Sequence, residues 1–274
     1  MQPNGMIFWD WNGTLMDDVD FTHGCLNWML ESHGYPQRYD LAQYRELFRF
    51  PIEDYYRLAG FDFSRHPYPM LAEHFMAHYN AGVDACPVMA HAVDTLTELA
   101  RRGWKQAVLS ASRRDYLIEQ VAARGLQGYF TELLGLADIY GVSKVQVGKQ
   151  WLAQSGIAPA ACVMVGDTQH DAEVAKALGT KCVLYTGGHQ SRARLEAVCP
   201  NVIDDLAQLP QLQLAILETG ARYVQPDGIL QYSTCTILKE ENENVAKAFL
   251  QKHPEFVPEP VYPELGGALA QPMV

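Results

Sequence analysis

Near the start of this chain a short run of strand-forming apolar residues, Ile7-Phe8-Trp9, leads directly into Asp10-Trp11-Asn12-Gly13-Thr14-Leu15. An unbroken apolar run of this kind suits a strand buried on both faces, as in a parallel sheet. Gly13 then marks a sharp turn. Asp10 is therefore expected at the carboxyl end of a buried parallel strand, the edge where open α/β sheets bind their ligands.

The same pattern recurs along the chain. Gln106-Ala107-Val108-Leu109 ends in Ser110-Ala111-Ser112, Phe130 to Leu136 reads as a further buried segment, Cys162-Val163-Met164-Val165 ends in Gly166-Asp167, and Lys181 to Tyr185 forms another strand. Helical spacing separates them: a helix predicted from Cys86-Pro87 to Arg101-Arg102 stops at Gly103, another spans Tyr116 to Ala123, and a third carries Trp151 and Leu152. Alternation of this kind predicts an α/β fold with a doubly wound parallel sheet. Between Leu15 and about Asp84 the strand signal is absent. Apolar residues there recur at helical spacing in three groups, around Phe21 and Cys25, around Tyr44 and Leu47, and around Leu71 and Phe75.

With 274 residues and 48% hydrophobic content, the chain is long enough for one α/β domain plus an insertion or a short extra module. The net charge of -11 argues against nucleic acid as a partner, because backbone binding normally needs a basic face. A phosphate site must then be built locally. No apolar run approaches the roughly 18 residues of a membrane span, and none has the layout of a signal peptide, so a cytoplasmic protein without a membrane partner is expected. The six cysteines show neither C-x-x-C pairs nor zinc spacing.

Asp10-x-Asn12-Gly13-Thr14 and Gly166-Asp167-x-x-x-Asp171 resemble the first and fourth motifs of the haloacid dehalogenase superfamily, and the resemblance covers about residues 6–208. It implies a Rossmann-like core over residues 1–16 and 85–208, with residues 17–84 as a helical cap above the active site. It further implies a hydrolase similar to the phosphoglycolate phosphatase branch, acting on a small phosphorylated metabolite. Phosphoryl transfer requires that a dianion be held, its growing charge neutralised and a nucleophile placed in line. Asp10 is the expected nucleophile, forming an aspartyl-phosphate. Ser110, the neighbouring Ala111 and Lys144 are expected at the phosphate, with Lys149 as the rival lysine. Asp10, Asp167 and the backbone carbonyl of Asn12 are expected to hold Mg²⁺, with Asp171 orienting that shell. From the cap, Arg49 is the candidate substrate contact, with Arg45 and Arg57 also in reach.

Asn12 departs from the superfamily pattern, which has an aspartate there to protonate the leaving alcohol. An amide cannot exchange that proton. Two readings stay open: a phosphatase that is slow or confined to good leaving groups, or a protein that binds metal and phosphate without turnover and acts through partner contacts. Asp17, or a histidine such as His170, is the alternative proton donor the sequence offers. Oligomeric state and substrate identity are not encoded in any motif.

Beyond Pro210 a second resemblance begins. Gly228-Ile229-Leu230-Gln231-Tyr232-Ser233-Thr234-Cys235, the helical stretch Val245 to Leu250 and His253-Pro254-Glu255-Phe256 resemble the C-terminal part of a 16S rRNA cytosine-5 methyltransferase, in which the cysteine attacks the target base. Residues 209–274 contain no Gly-rich loop for a methyl donor and no basic face, so they read as a fragment without methyltransferase activity. The fragment is expected either to pack on the hydrolase or to stay poorly ordered, with an irregular Pro258–Pro263 end.

Overall fold

The computed structural model of the chain describes residues 5–137, 143–211 and 243–258. The chain divides into two compact units, with the break between Leu209 and Pro210.

The first unit is a six-stranded, all-parallel sheet in the order β3-β2-β1-β4-β5-β6. Its strands are β1 (Met6–Trp9), β2 (Lys105–Arg113), β3 (Glu132–Leu136), β4 (Val163–Gly166), β5 (Lys181–Tyr185) and β6 (Val202–Ile203). The first strand is central and wholly buried. On one face Phe8, Ala107, Leu109 and Met164 pack against α7 (Lys144–Ser155) and α8 (Gln169–Leu178). On the other, Trp9 Nε1 donates to Gln106 Oε1 at 3.0 Å, and Gln106 Nε2 donates to the Leu96 carbonyl of α5 (Ala92–Arg101). Trp11 is anchored the same way, donating at 2.8 Å to Gln120 of α6 (Arg114–Ala123). Each indole thus keeps its polar end satisfied while its ring fills the core. Asp10 stands between two buried, hydrogen-bonded side chains.

Between β1 and α5 the chain makes four helices: α1 (Val19–Ser32), α2 (Leu41–Leu47), α3 (Ile52–Leu58) and α4 (Tyr68–Gly82). They enclose a core of their own, with Leu26, Met29, Leu30, Tyr44, Tyr55, Tyr56 and Leu71 buried together. The outgoing and returning chains pair with each other: Asp17 N donates to the Pro87 carbonyl at 2.9 Å, and Met89 N donates to the Leu15 carbonyl at 2.9 Å. That pairing corrects the helix expected from Cys86-Pro87. Residues 86–89 are committed to the outgoing chain, and α5 begins only at Ala92. Two further elements carried no sequence signal of their own. The helix α3 follows Pro51, and the two-residue β6 is too short for any periodicity.

In the second unit the described element is a helix, Glu243–Lys252, with Phe249 packed against His253 and Phe256 at ring separations of 4.6 and 5.3 Å. Ser233-Thr234-Cys235 and most of Pro258–Pro263 lie outside the described residues. Among the described residues, no helix is long and apolar enough to cross a membrane.

Candidate active site

Four side chains singled out in the sequence converge at the carboxyl edge of the sheet. Asp10 follows β1, and its backbone N–H donates to the Val165 carbonyl, carrying the β1–β4 ladder one residue further. Asp167 follows β4, Asp171 lies in the first turn of α8, and Lys144 opens α7. The Lys144 ammonium is buried and donates to Asp10 Oδ1 at 2.7 Å and to Asp171 Oδ1 at 2.6 Å. Carboxylate oxygens of Asp10, Asp167 and Asp171 lie within 4.8 Å of one another. Lys149 is exposed on the same helix.

The three carboxylates differ in how fully they are satisfied. Asp171 Oδ2 accepts from Thr168 Oγ1 at 2.7 Å and from the amides of Thr168 and Asp167 at 3.0 and 3.2 Å. Burial pushes its pKa up, yet Lys144 and Thr168 outweigh it and hold the carboxyl below its ordinary value. Asp167 accepts from Thr14 Oγ1 at 2.9 Å and from His189 N at 2.7 Å. Burial raises it to about 7, with Asp10 and Asp171 adding to the rise against His189. Asp10 is raised to about 6, again mainly by burial, despite Lys144. Lys144 itself is shifted upward, because two carboxylates outweigh the desolvation that would lower it. One ammonium for three carboxylates leaves a surplus of negative charge. The donor set, all hard oxygens, fits Mg²⁺, whose octahedral shell places ligand oxygens about 3.0 to 4.2 Å apart.

Ser110 is buried, and its Oγ accepts from Ser112 N at 3.0 Å, while Ala111 is exposed. Ser112 Oγ donates at 2.9 Å to Asn12 Oδ1. The other end of the Asn12 amide is equally occupied: Nδ2 donates to Asp18 Oδ2 at 2.8 Å and to Tyr79 Oη at 2.7 Å. The arginines go elsewhere. Arg49 donates to the Leu47 and Glu46 carbonyls, Arg57 pairs with Glu53, and Arg45 donates to the Gly188 and Gly187 carbonyls. Asp17 is exposed, and His170 sits beside Glu173 under the ring of Phe50.

Sequence reading missed a second network behind Asn12. Asp18 is buried and accepts from Gly13 N at 2.8 Å, Asn12, Tyr79 Oη at 2.6 Å and Thr22, with His189 Nε2 at 3.4 Å. Burial opposes its ionisation, but His189, Tyr79 and Asn12 together bring its pKa down to about 2. His189 is shifted upward in turn: burial lowers it, and Asp18 outweighs the burial. Its Nδ1 lies 2.8 Å from Tyr44 Oη, and its ring stacks on Phe48 at 4.8 Å. The available signal was Gly187-Gly188 beyond the β5 tip, since a Cβ at Gly188 would run into Asp167, and one at Gly13 (φ +69°) would come within 2.5 Å of both Asp167 and His189.

Residues 7–185 match the family described as haloacid dehalogenase-like hydrolase, and residues 192–265 match 16S rRNA methyltransferase RsmB/F. A phosphoglycolate phosphatase from Synechococcus elongatus is 27% identical over 195 residues, covering 71% of this chain and 90% of that protein. A ribosomal RNA small subunit methyltransferase B from Thermus thermophilus is 52% identical over 60 residues, which is 22% of this chain and only 15% of the methyltransferase. A haloacid dehalogenase-like protein from Streptococcus pneumoniae superimposes with a TM-score of 0.66 at 18% identity, covering 76% of this chain and 97% of that structure. The methyltransferase match starts at Arg192, inside the first unit, whereas the compact units divide after Leu209.

Proposed function

The chain belongs to the haloacid dehalogenase-like hydrolase family, and we propose that it is a Mg²⁺-dependent phosphatase of a small phosphate ester, of the kind its similarity to a phosphoglycolate phosphatase suggests. The observation that carries this reading is the under-neutralised trio of Asp10, Asp167 and Asp171 beside a buried lysine. Bound at Asp10 and Asp167, with the Asn12 carbonyl as a third ligand, magnesium would supply charge neutralisation for the phosphoryl oxygens. Asp171, with every oxygen already engaged, orients Lys144 and the β4–α8 turn.

In this reading a carboxylate oxygen of Asp10 attacks phosphorus as the ester P–O bond breaks, giving an aspartyl-phosphate and an alkoxide. Lys144 has three N–H donors. Two are held by Asp10 and Asp171, and the third is left for a phosphate oxygen alongside Ser110 and the exposed Ala111 near the end of β2. Water then attacks the aspartyl-phosphate and restores Asp10. The Asn12 amide is hydrogen-bonded at both ends and exchanges no proton, so the alkoxide takes its proton from water. A positioned acid or base typically supplies about 10²–10⁴ in rate, or about 3–5 kcal/mol of barrier. The substrates favoured are those with good leaving groups, acyl phosphates among them. The α1–α4 segment serves as the cap that closes over them, with residues 17–84 as its extent, and Arg49 is the cap side chain assigned to the substrate once its local carbonyl contacts open.

The occupied Asn12 amide also favours a second reading, in which metal and phosphate bind without turnover and the protein works through partner contacts. The tail resembles a piece of a methyltransferase and, lacking a donor-binding loop, is assigned no methylation of its own. One assay separates the two readings: release of inorganic phosphate from a panel of small esters and acyl phosphates, with Mg²⁺ and with EDTA. The phosphatase reading expects Mg²⁺-dependent release that Asp10→Asn reduces at least about a thousandfold, as loss of a covalent nucleophile does. Release indifferent to EDTA and to Asp10→Asn contradicts it, and no release from any compound selects the binding protein.

A further inference from the structure

Far along the helical segment, three imidazoles from three separate pieces of chain meet on the surface. His33 caps the C-terminus of α1, His66 precedes α4 and His74 lies on α4. The His33 ring lies 5.1 Å from that of His66 and 5.3 Å from that of His74, and His33 Nε2 is 3.1 Å from His74 Nδ1.

The partner of His33 Nδ1 shows which nitrogen of that ring carries the proton. His33 Nδ1 lies 2.9 Å from the Met29 carbonyl, which only accepts, so Nδ1 holds the proton and Nε2 presents a lone pair. Tyr35 Oη accepts from Asp62 N at 3.1 Å and lies 3.3 Å from the Asp62 carbonyl and 2.8 Å from His66 Nδ1; in the tautomer in which His66 Nδ1 donates to that oxygen, the Nε2 lone pair of His66 is free. With His33 Nε2 unprotonated, His74 Nδ1 supplies the proton of their 3.1 Å contact, and on this exposed ring that proton moves to Nε2 when a cation takes the Nδ1 lone pair. A metal-ligating histidine is ordinarily held in this way, with its second nitrogen donating to a carbonyl or another fixed acceptor. The 3.1 Å between His33 and His74 is close to the edge of a tetrahedral zinc site, about 3.3–3.4 Å for Zn–N bonds of about 2.0–2.1 Å.

We propose that His33 Nε2 and His74 Nδ1 form the core of a transition-metal site on the outer surface of the helical segment, with His66 as third ligand after a tilt of its ring about the Tyr35 contact. The occupant is a borderline cation that imidazole prefers, zinc first. Magnesium does not compete, since it selects oxygen donors. The site is separate from the acidic cluster and fastens α1, the loop before α4 and α4 to one another.

The test is calorimetric titration of the full chain with zinc chloride in excess Mg²⁺, which keeps the carboxylates occupied. One zinc per chain is expected, unchanged by Asp167→Asn. His74→Gln, at an exposed position that leaves the fold intact, should weaken it at least about tenfold, and Tyr35→Phe should weaken it by releasing His66. Cobalt in place of zinc should give visible absorption bands that the His33→Gln, His74→Gln double variant abolishes. A chain that takes up no zinc at about 100 µM, or a double variant that binds as the parent does, overturns the proposal and leaves the contact as a hydrogen bond between two rings.

Discussion

The Asp10–Asp167–Asp171 cluster and the network around Asp18 are built from the same side chain, comparably withdrawn from water, yet burial acts on them with opposite results. In the cluster, one ammonium serves three carboxylates, and two of them are pushed up to about 6 and about 7. Around Asp18, one carboxylate collects Gly13 N, Asn12, Tyr79, Thr22 and His189, and its pKa falls to about 2. The second network is balanced and structural: it ties the turn after β1 to α4 through Tyr79 and, through His189 and Tyr44, to α2. The first is left short of positive charge, which a bound cation would supply. Uncompensated charge marks the candidate site more sharply than burial does.

Breaking the balanced network should cost the most stability. Asp18→Asn keeps the shape but strands His189 and removes the acceptor for Gly13 N, so thermal unfolding should show a loss of roughly 3 kcal/mol, about 6–12 °C in a chain of this size. A loss within a degree of the parent would make Asp18 an ordinary surface carboxylate.

Converting Asn12 joins the two networks. In Asn12→Asp a carboxyl replaces the amide 2.8 Å from Asp18. Two carboxyls in contact cannot both ionise, so the new group keeps its proton near neutral pH and gains the leaving-group role. Phosphate release from alkyl esters should rise by about 10²-fold, while release from acyl phosphates changes little. An unchanged rate on both would refute the proton-transfer account of this position.

The pH dependence gives the smallest effect and the opposite sign for each region. Asp167, raised to about 7 in the fold from an ordinary 3.8, contributes stability that is fully present below about pH 4 and is lost as pH rises through 7. Asp18, lowered to about 2, contributes stability that is present above about pH 4 and is lost as pH falls toward 2. The metal-free chain should therefore lose a few degrees of melting temperature between about pH 5 and 8, and Mg²⁺ should remove that loss. A flat profile, with or without Mg²⁺, would mean that Asp167 ionises freely.

The strands that end in Asp10 and Asp167 were legible because short apolar runs stop at a carboxylate, and the sheet edge gathers such tips whatever lies between them. Lys144 came only from the family resemblance, with Lys149 as its rival, because a lone lysine ahead of a helix carries no signal of its own. Asp18 and His189 were not legible, since the 170 residues of chain between them hide a contact made by tertiary folding alone, and Asp17-Asp18 before a helix looks like any helix start. The late beginning of α5 was hidden for a related reason: the pairing of residues 15–17 with 87–89 is a contact between two crossings, and no local periodicity records it.

The central claim is that the acidic cluster is a cation site, and Mg²⁺ titration of the metal-free chain near pH 6.5, with proton release followed in the same experiment, tests it most directly. One ion per chain should bind, displacing protons from Asp10 and Asp167, and Asp167→Asn should abolish the binding while raising the melting temperature of the metal-free protein. Binding that survives Asp167→Asn unchanged, or no binding at millimolar Mg²⁺, would contradict the account.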